Sequence, residues 1–268
     1  MTTRASIGST DGPLYELRGA GFALKDRVLL EPLDLTLGPQ RLYGLIGPNG
    51  SGKSTLMKLL ARQLFVSSGS IRYRGEAIEG WSARDFARQI GYLPQNLTPT
   101  DGMLVEELIA LGRYPWHGAL GRVTALDREK VEEAIRLTHL QAFRRRPVDN
   151  LSGGERQRVW LAVLLVQDAT CLLLDEPTSA LDVAHQIEVL SVVRELTTQK
   201  AVTTVVVMHE LNMAARYCDE IIALGSGRVV ARGTPQEIMR SATLEAIYGV
   251  KMGIITRPDD GRPLGYAL

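Results

Sequence analysis

The sequence predicts an α/β fold with a mostly parallel sheet and a small antiparallel β portion near its start. Three observations carry the prediction: four short apolar runs that read as buried strands, helical periodicity between them, and a polar motif directly after each run. At 268 residues the chain is about 1.8 times a typical domain. No Gly/Ser/Pro linker is long enough to separate independent units, so one domain is expected after a polar tail over residues 1–13.

From Leu14 to Leu37 short β-type runs, Val28–Leu30 and Leu33–Leu37, are interrupted by turn residues, which suggests the antiparallel portion. The four buried strands are then Leu42–Ile46, Ile90–Leu93, Cys171–Leu174 and Val202–Met208. Helical spacing appears in Ser54–Leu64, where Leu56, Leu59, Leu60 and Leu64 share a face, and in Arg128–Leu140 and Glu155–Gln167. Thr234-Pro235-Gln236-Glu237 reads as a capping box with proline at the first helical position, opening a helix toward Met239. The groups that follow the four strands are a glycine-rich loop from Gly47, then Gln95, Asp175-Glu176 and His209. Open α/β sheets bind ligands at the carboxyl ends of their strands, so these polar groups are expected in one crevice.

Composition narrows the setting. Hydrophobic residues make up 45% and charged residues 23%, which argues against disorder and against a membrane-embedded chain. The longest apolar run, Val159–Val166, is far short of the roughly 20 residues of a membrane-spanning helix. No signal-peptide-like stretch is found near Met1, so a cytoplasmic protein is expected. Thirty-one basic residues against 30 acidic ones give a net charge of +1, which supplies no bulk case for nucleic acid. The basic run Arg144–Arg146 reads as a solvated helix end. Cys171 and Cys218 read as buried free thiols, and the four scattered histidines exclude a zinc site. No chemistry is assigned to His117, His139 or His185.

The segment Gly47-Pro48-Asn49-Gly50-Ser51-Gly52-Lys53-Ser54-Thr55 matches G-x-x-x-x-G-K-[ST] after a strand and opening a helix. Glycines let backbone N–H groups curl around a β-phosphate, Lys53 brings charge to the β/γ oxygens, and Ser54 offers a hydroxyl to Mg²⁺. Asp175 ends a strand where it can hold Mg²⁺ directly or through water, and Glu176 follows where it can orient an attacking water. The chemistry expected is phosphoryl transfer to water, with Glu176 as general base and His209 near the γ-phosphate. A second anion site is suggested by Ser152, Gly153, Gly154 and Glu155, at the start of the apolar helix that runs on through Gln167.

These motifs, taken in order, resemble the ATP-binding cassette ATPases. The matching elements are the phosphate loop Gly47–Thr55, a glutamine loop at Gln95, the signature from Leu151 to Glu155, the Asp175-Glu176 pair, a D-loop over Ser179–Asp182 and the switch histidine His209. The resemblance covers residues 14–251, with 252–268 set apart as a C-terminal tail. It implies an ABC ATPase (P-loop NTPase) core with an inserted helical subdomain over about 96–159, and ATP with Mg²⁺ as the bound species. It also implies a head-to-tail homodimer, in which Ser152, Gly153, Gly154 and Glu155 of one copy face the ATP held by the other. By the same resemblance Gln95 contacts Mg²⁺ or the attacking water and signals to a transmembrane permease subunit, and Asp182 couples the two sites. Where the family usually places an aromatic residue on adenine this chain has Leu24, so the base is expected to meet aliphatic carbon, or Phe22 if the local register differs.

Further local stretches, Leu111–Gly118, Met213–Asp219 and Ile247–Gly253, are similar to the ATPases of iron-chelate importers, the ferric hydroxamate type above all. Tyr114, Trp116 and Tyr217 within them read more readily as packing residues than as recognition residues. The resemblance implies a peripheral subunit on the cytoplasmic face of a bacterial inner membrane, served indirectly by a periplasmic binding protein. Importers of another iron chelate, haem or cobalamin remain alternatives, as does a nucleic-acid-linked cassette ATPase. The spacing from Lys53 to Ser152 has no room for the long coiled coil typical of that last class.

Overall fold

The computed structural model describes residues 12–25, 27–118, 122–258 and 261–268. Its strands are β1 (Tyr15–Leu24), β2 (Arg27–Leu37), β3 (Leu42–Ile46), β4 (Ser68–Tyr73), β5 (Glu76–Ala77), β6 (Ile90–Leu93), β7 (Cys171–Leu174), β8 (Thr203–Val207), β9 (Glu220–Gly225), β10 (Arg228–Gly233), β11 (Met252–Thr256) and β12 (Pro263–Ala267). Its helices are α1 (Lys53–Leu60), α2 (Ala83–Gln89), α3 (Val105–Leu111), α4 (Tyr114–His117), α5 (Ala125–Leu137), α6 (Gly153–Val166), α7 (Val183–Gln199), α8 (Leu211–Tyr217), α9 (Pro235–Ile238) and α10 (Ser241–Tyr248).

The main sheet has the order β10-β9-β3-β8-β7-β6 and is parallel except for the edge strand β10. A second, antiparallel sheet has the order β2-β1-β4-β5. Alternation along the parallel strands assigns each face of the main sheet to its own core. Leu42, Ile46, Leu172, Leu174 and Val206 pack with residues of α6, α7, α8 and α10. Tyr43, Leu45, Cys171, Leu173 and Val205 pack with Leu56, Met57, Leu59 and Leu60 of α1 and with the antiparallel sheet. Helix α1 is thereby clamped between two sheets, and the loop that precedes it is fixed at the end of β3. Residues of α3, α5 and α6, with Leu140, Val148 and Leu151, form a third core of their own.

The predicted break at Glu31-Pro32 does not occur, because β2 runs through both residues. Strand β2 is an edge, so the missing N–H of Pro32 costs no ladder bond, and a register shift between Leu33 and Leu30 absorbs it. Arg144–Arg146 are the solvated end of a 3₁₀ turn rather than of an α-helix. They follow a 3₁₀ turn at Gln141–Phe143, and Arg144 ties Glu106 of α3 to Glu132 of α5, each at 2.5 Å. Residues 252–268, set apart as a tail, contain the β11–β12 hairpin. It is docked by Asn212 of α8, whose side chain donates to Gly265 O at 3.1 Å and accepts from Gly265 N at 2.9 Å. Cys171 and Cys218 are buried and unpaired with each other.

Candidate active site

Strands β3, β8, β7 and β6 lie side by side in the sheet, so the four polar motifs leave at one edge, as the sequence pattern requires. Gly47 turns the chain out of β3 at φ +140°, and a Cβ there would stand 2.0 Å from Leu224 O, so only glycine fits. Lys53 is 5% exposed, and its Nζ donates to Gly47 O at 2.8 Å and Pro48 O at 2.9 Å, curling the loop around the ammonium group. Burial lowers the Lys53 pKa, and the nearby charges of Glu176 and Asp175 oppose that shift.

Ser54 Oγ donates to Asp175 Oδ1 at 3.2 Å, which brings the two expected metal ligands together. Burial dominates at Asp175, which is 2% exposed, and raises its pKa. Tyr92 of β6, half-buried beside it, has its hydroxyl pushed up to about 12 by burial and by the Asp175 charge. A hydroxyl and a carboxylate side by side suit Mg²⁺, which prefers one or two protein oxygens plus phosphate and water to an all-protein cage. Among the described residues no group of three or more His, Cys, Asp and Glu side chains could hold a metal without such help.

Glu176 takes the left-handed conformation at φ +56°, a strained backbone for a non-glycine residue. Its carbonyl accepts from Ser179 N at 3.1 Å and from Ser179 Oγ at 3.0 Å, which holds the turn. The turn separates the directions of the two adjacent acids. Asp175 meets Ser54, whereas the Glu176 carboxylate accepts from Gln95 Nε2 at 2.7 Å and lies 2.8 Å from His209 Nε2. Strand ends β6, β7 and β8 thus converge on one carboxylate, and a water held there can be deprotonated beside the phosphate loop.

A cavity of about 200 Å³ is lined by Asn49 to Thr55, Glu176, Arg27 and Leu29. Sequence reasoning missed Arg27 and Leu29, since nothing in a β-type run shows which face meets a loop distant in sequence. Leu24 does not line this cavity but is exposed directly opposite Arg27 in the β1–β2 register, and Phe22 is packed against the core. A separate cavity of about 420 Å³ lies among α3, α4 and α5, away from the phosphate loop.

None of Ser152, Gly153, Gly154 and Glu155 lines the phosphate-loop cavity. They form a capping box at the start of α6: Ser152 N donates to Glu155 Oε2 at 2.7 Å and Glu155 N to Ser152 Oγ at 3.3 Å. Gly154 is pressed against α7, where a Cβ would stand 2.5 Å from the His185 ring. Asp182 caps α7, accepting from His185 N at 2.9 Å, and its carboxylate is 2.8 Å from His185 Nδ1. His185, given no role from the sequence, links the capping aspartate to the glycine pair. His117 lies away from this site, with its Nε2 2.8 Å from the buried Asp127 carboxylate.

Comparison with known proteins places this site in a family. Residues 30–179, more than half of the chain, match the model of the ABC transporter family. The chain is 41% identical over 234 residues to the ferric enterobactin transport ATP-binding protein FepC of Escherichia coli strain K12, covering 87% of this chain and 86% of that protein. It is 38% identical over 244 residues to the iron(3+)-hydroxamate import ATP-binding protein FhuC of Bacillus subtilis strain 168, covering 91% of both. Among solved structures, the ADP conformation of an ATP-binding cassette of an ABC transporter superposes with a TM-score of 0.79 at 20% identity, over 87% of this chain and 98% of the other. The chain belongs to the ABC transporter family, as one of its ATP-binding, ATP-hydrolysing members.

Proposed function

We propose that this chain is the energy-coupling ATPase of an iron-chelate importer, most specifically one for ferric hydroxamates. It works as a homodimer beneath separate transmembrane permease subunits on the cytoplasmic face of the inner membrane, with a periplasmic binding protein delivering the chelate. Relatives named for import of iron(3+)-hydroxamate and ferric enterobactin, each matched over most of its length, support the chelate class. The ATP-binding domain spans residues 14–251, with residues 96–159 as its helical part. Among the described residues no helix is long and apolar enough to cross a membrane, which fits a membrane pathway carried by other chains.

One observation carries the catalytic reading: the Glu176 carboxylate is held on both oxygens, by Gln95 and His209, next to the phosphate loop. The backbone N–H groups of Gly47 to Thr55 and the Lys53 ammonium group bind the polyphosphate. Ser54 and Asp175 would hold Mg²⁺, with Gln95 as a further ligand or water contact. When bound, that ion neutralises charge on the β/γ oxygens. Glu176 takes the proton of the attacking water while His209 and Gln95 keep its carboxylate aimed. Charge developing on the transferred group is met by Lys53 and the loop amides, fixed in advance by α1 between its two sheets.

The signature residues Ser152 to Glu155 lie outside the phosphate-loop cavity of their own chain, so a second copy arranged head to tail completes each site. Asp182, the N-cap of α7, bonds to the His185 that packs on Gly154, and it would couple the two sites. The test is growth of a deletion strain of the source bacterium on single iron sources. Loss on ferric hydroxamates, restored by the wild-type chain and not by Glu176→Gln, supports the reading; unimpaired growth on hydroxamates with loss on enterobactin transfers it to the other chelate.

A further inference from the structure

We infer that the β11–β12 hairpin sets the position of His209 through Asn212, which makes Asn212 a positioning residue for hydrolysis. The inference rests on the reading of Glu176 as the base that His209 holds. His209 leaves the main sheet directly after β8: Met208 N still donates to Leu45 O at 3.1 Å, and α8 begins two residues beyond the histidine. The imidazole that lies 2.8 Å from Glu176 is therefore held on one side by the strand and on the other by the first turn of α8. That turn has little to hold it within its own helix. At seven residues α8 is well below the roughly 12–15 at which a helix persists alone. Its N-cap Glu210 makes no side-chain cap bond, and its first turn carries no acidic residue to meet the dipole.

Contacts from elsewhere divide α8 into two halves. Its C-terminal half is tied to α7 and β3: the Tyr217 hydroxyl stands 3.1 Å from Ser191 Oγ, and Ala214 packs against Gly44. Its first turn is tied to the hairpin. Asn212 Nδ2 donates to Gly265 O at 3.1 Å and Asn212 Oδ1 accepts from Gly265 N at 2.9 Å, so one side-chain amide takes both backbone groups of a single residue. Leu211 closes the joint, since a Cβ on Gly265 would stand 2.9 Å from Leu211 Cδ2 and 3.1 Å from Leu244 Cδ1. The hairpin is itself seated. Met252 and Ile254 pack against the core that holds Leu211, Ala214 and Leu244, and Arg262 Nη1 donates to Arg216 O at 2.8 Å. Two of the three stretches singled out in the sequence, Met213–Asp219 and Ile247–Gly253, lie in α8 and at the entry to β11, so they meet at this joint. The amide lock is three residues from the histidine. Loosening it lets the imidazole drift from Glu176 without disturbing the phosphate loop.

Steady-state ATP hydrolysis and equilibrium ATP binding are measured on the full-length chain for Asn212→Ala, His209→Ala and the double variant. Asn212→Ala lowers turnover about 5- to 20-fold with ATP affinity within about twofold of wild type, the pattern of a reacting group held slightly out of place. On the His209→Ala background the same substitution changes turnover by less than about twofold, because its path to the base is already gone. Gly265→Ala pushes β12 away from Leu211 and gives the same pattern, which keeps the test open if loss of the amide prevents folding. Equal-fold losses on both backgrounds, or ATP affinity falling along with turnover, would make the hairpin a purely structural element and overturn the inference. So would turnover in Asn212→Ala within about twofold of wild type. Wild-type turnover in His209→Ala would instead remove the reading of Glu176 as a histidine-held base and the inference with it, and is seen before any hairpin variant is compared.

Discussion

His209 Nε2 lies 2.8 Å from one carboxylate oxygen of Glu176, and Gln95 Nε2 donates to the other at 2.7 Å. Three neighbouring strands thus fix a single carboxylate from both sides, with neither contact drawn from the phosphate loop. Binding of the polyphosphate and aiming of the attacking water are therefore separable, and variants should divide along that line.

Lys53→Ala removes the buried ammonium group proposed to meet the polyphosphate. ATP affinity should fall about 10- to 100-fold, as expected for loss of a charged hydrogen-bond donor, and equilibrium binding of labelled ATP measures it. Retained affinity would contradict the assigned phosphate contact.

His209→Ala frees one oxygen of Glu176 and touches nothing in the loop. Turnover should drop about 10- to 100-fold with ATP affinity within about threefold of wild type, the pattern of a lost orienting partner. Steady-state ATPase assays paired with binding titrations separate the two quantities.

Gly154→Ala drives a methyl group into the His185 ring, 2.5 Å away at the nearest atom. Overpacking at this α6–α7 contact should destabilise the chain by about 1–3 kcal/mol. Removing the ring with His185→Ala in the same chain should recover at least half of that loss, because the two residues share one contact. Strictly additive losses in chemical denaturation would show that the clash is relieved elsewhere.

Asp127 is buried between Arg113, whose Nε donates to it at 2.7 Å, and His117. Burial works to raise its pKa, but hydrogen bonds from Thr124, His117 and Arg113 outweigh it and hold the carboxyl well below the usual carboxylate range. A depressed native pKa contributes stability that is complete above the unfolded value of about 3.9 and is lost as pH falls through the native one. Asp127→Asn should therefore cost about 3 kcal/mol at neutral pH by stranding the Arg113 charge. The gap to wild type should shrink below about pH 4. A gap of constant size from pH 7 to pH 3 in urea melts would exclude the ionised carboxylate as its source.

Much of the catalytic edge was legible from the chain alone because it follows from local pattern. Each of the four apolar runs forms a strand close to its expected bounds, and each polar follower leaves at the same sheet edge. The capping box at Thr234 forms as its spacing requires, whereas the one at Ser152 was not read from the sequence. What escaped was non-local. The order β3-β8-β7-β6 depends on crossovers that no window of sequence contains, and so does the contact of Gly154 with His185. Pro32 reads as a break in the sequence because its tolerance depends on β2 being an edge strand. The β11–β12 hairpin does carry a signal, since Pro258 and Gly261 stand between two short apolar runs, but at a chain end that signal is weak. Arg27 had no signal at all, because only the packing of β2 against the loop shows that it faces the cavity.

The most direct measurement is ATP hydrolysis by Glu176→Gln beside its state of association with and without ATP. The amide keeps the shape of the side chain and loses the base. Turnover is expected to fall by about 100-fold or more, while ATP binding persists and ATP shifts the chain from monomer to dimer in analytical ultracentrifugation. Near-normal hydrolysis in the complex with its permease subunits would contradict the account, since the carboxylate gripped by Gln95 and His209 would then not be the base.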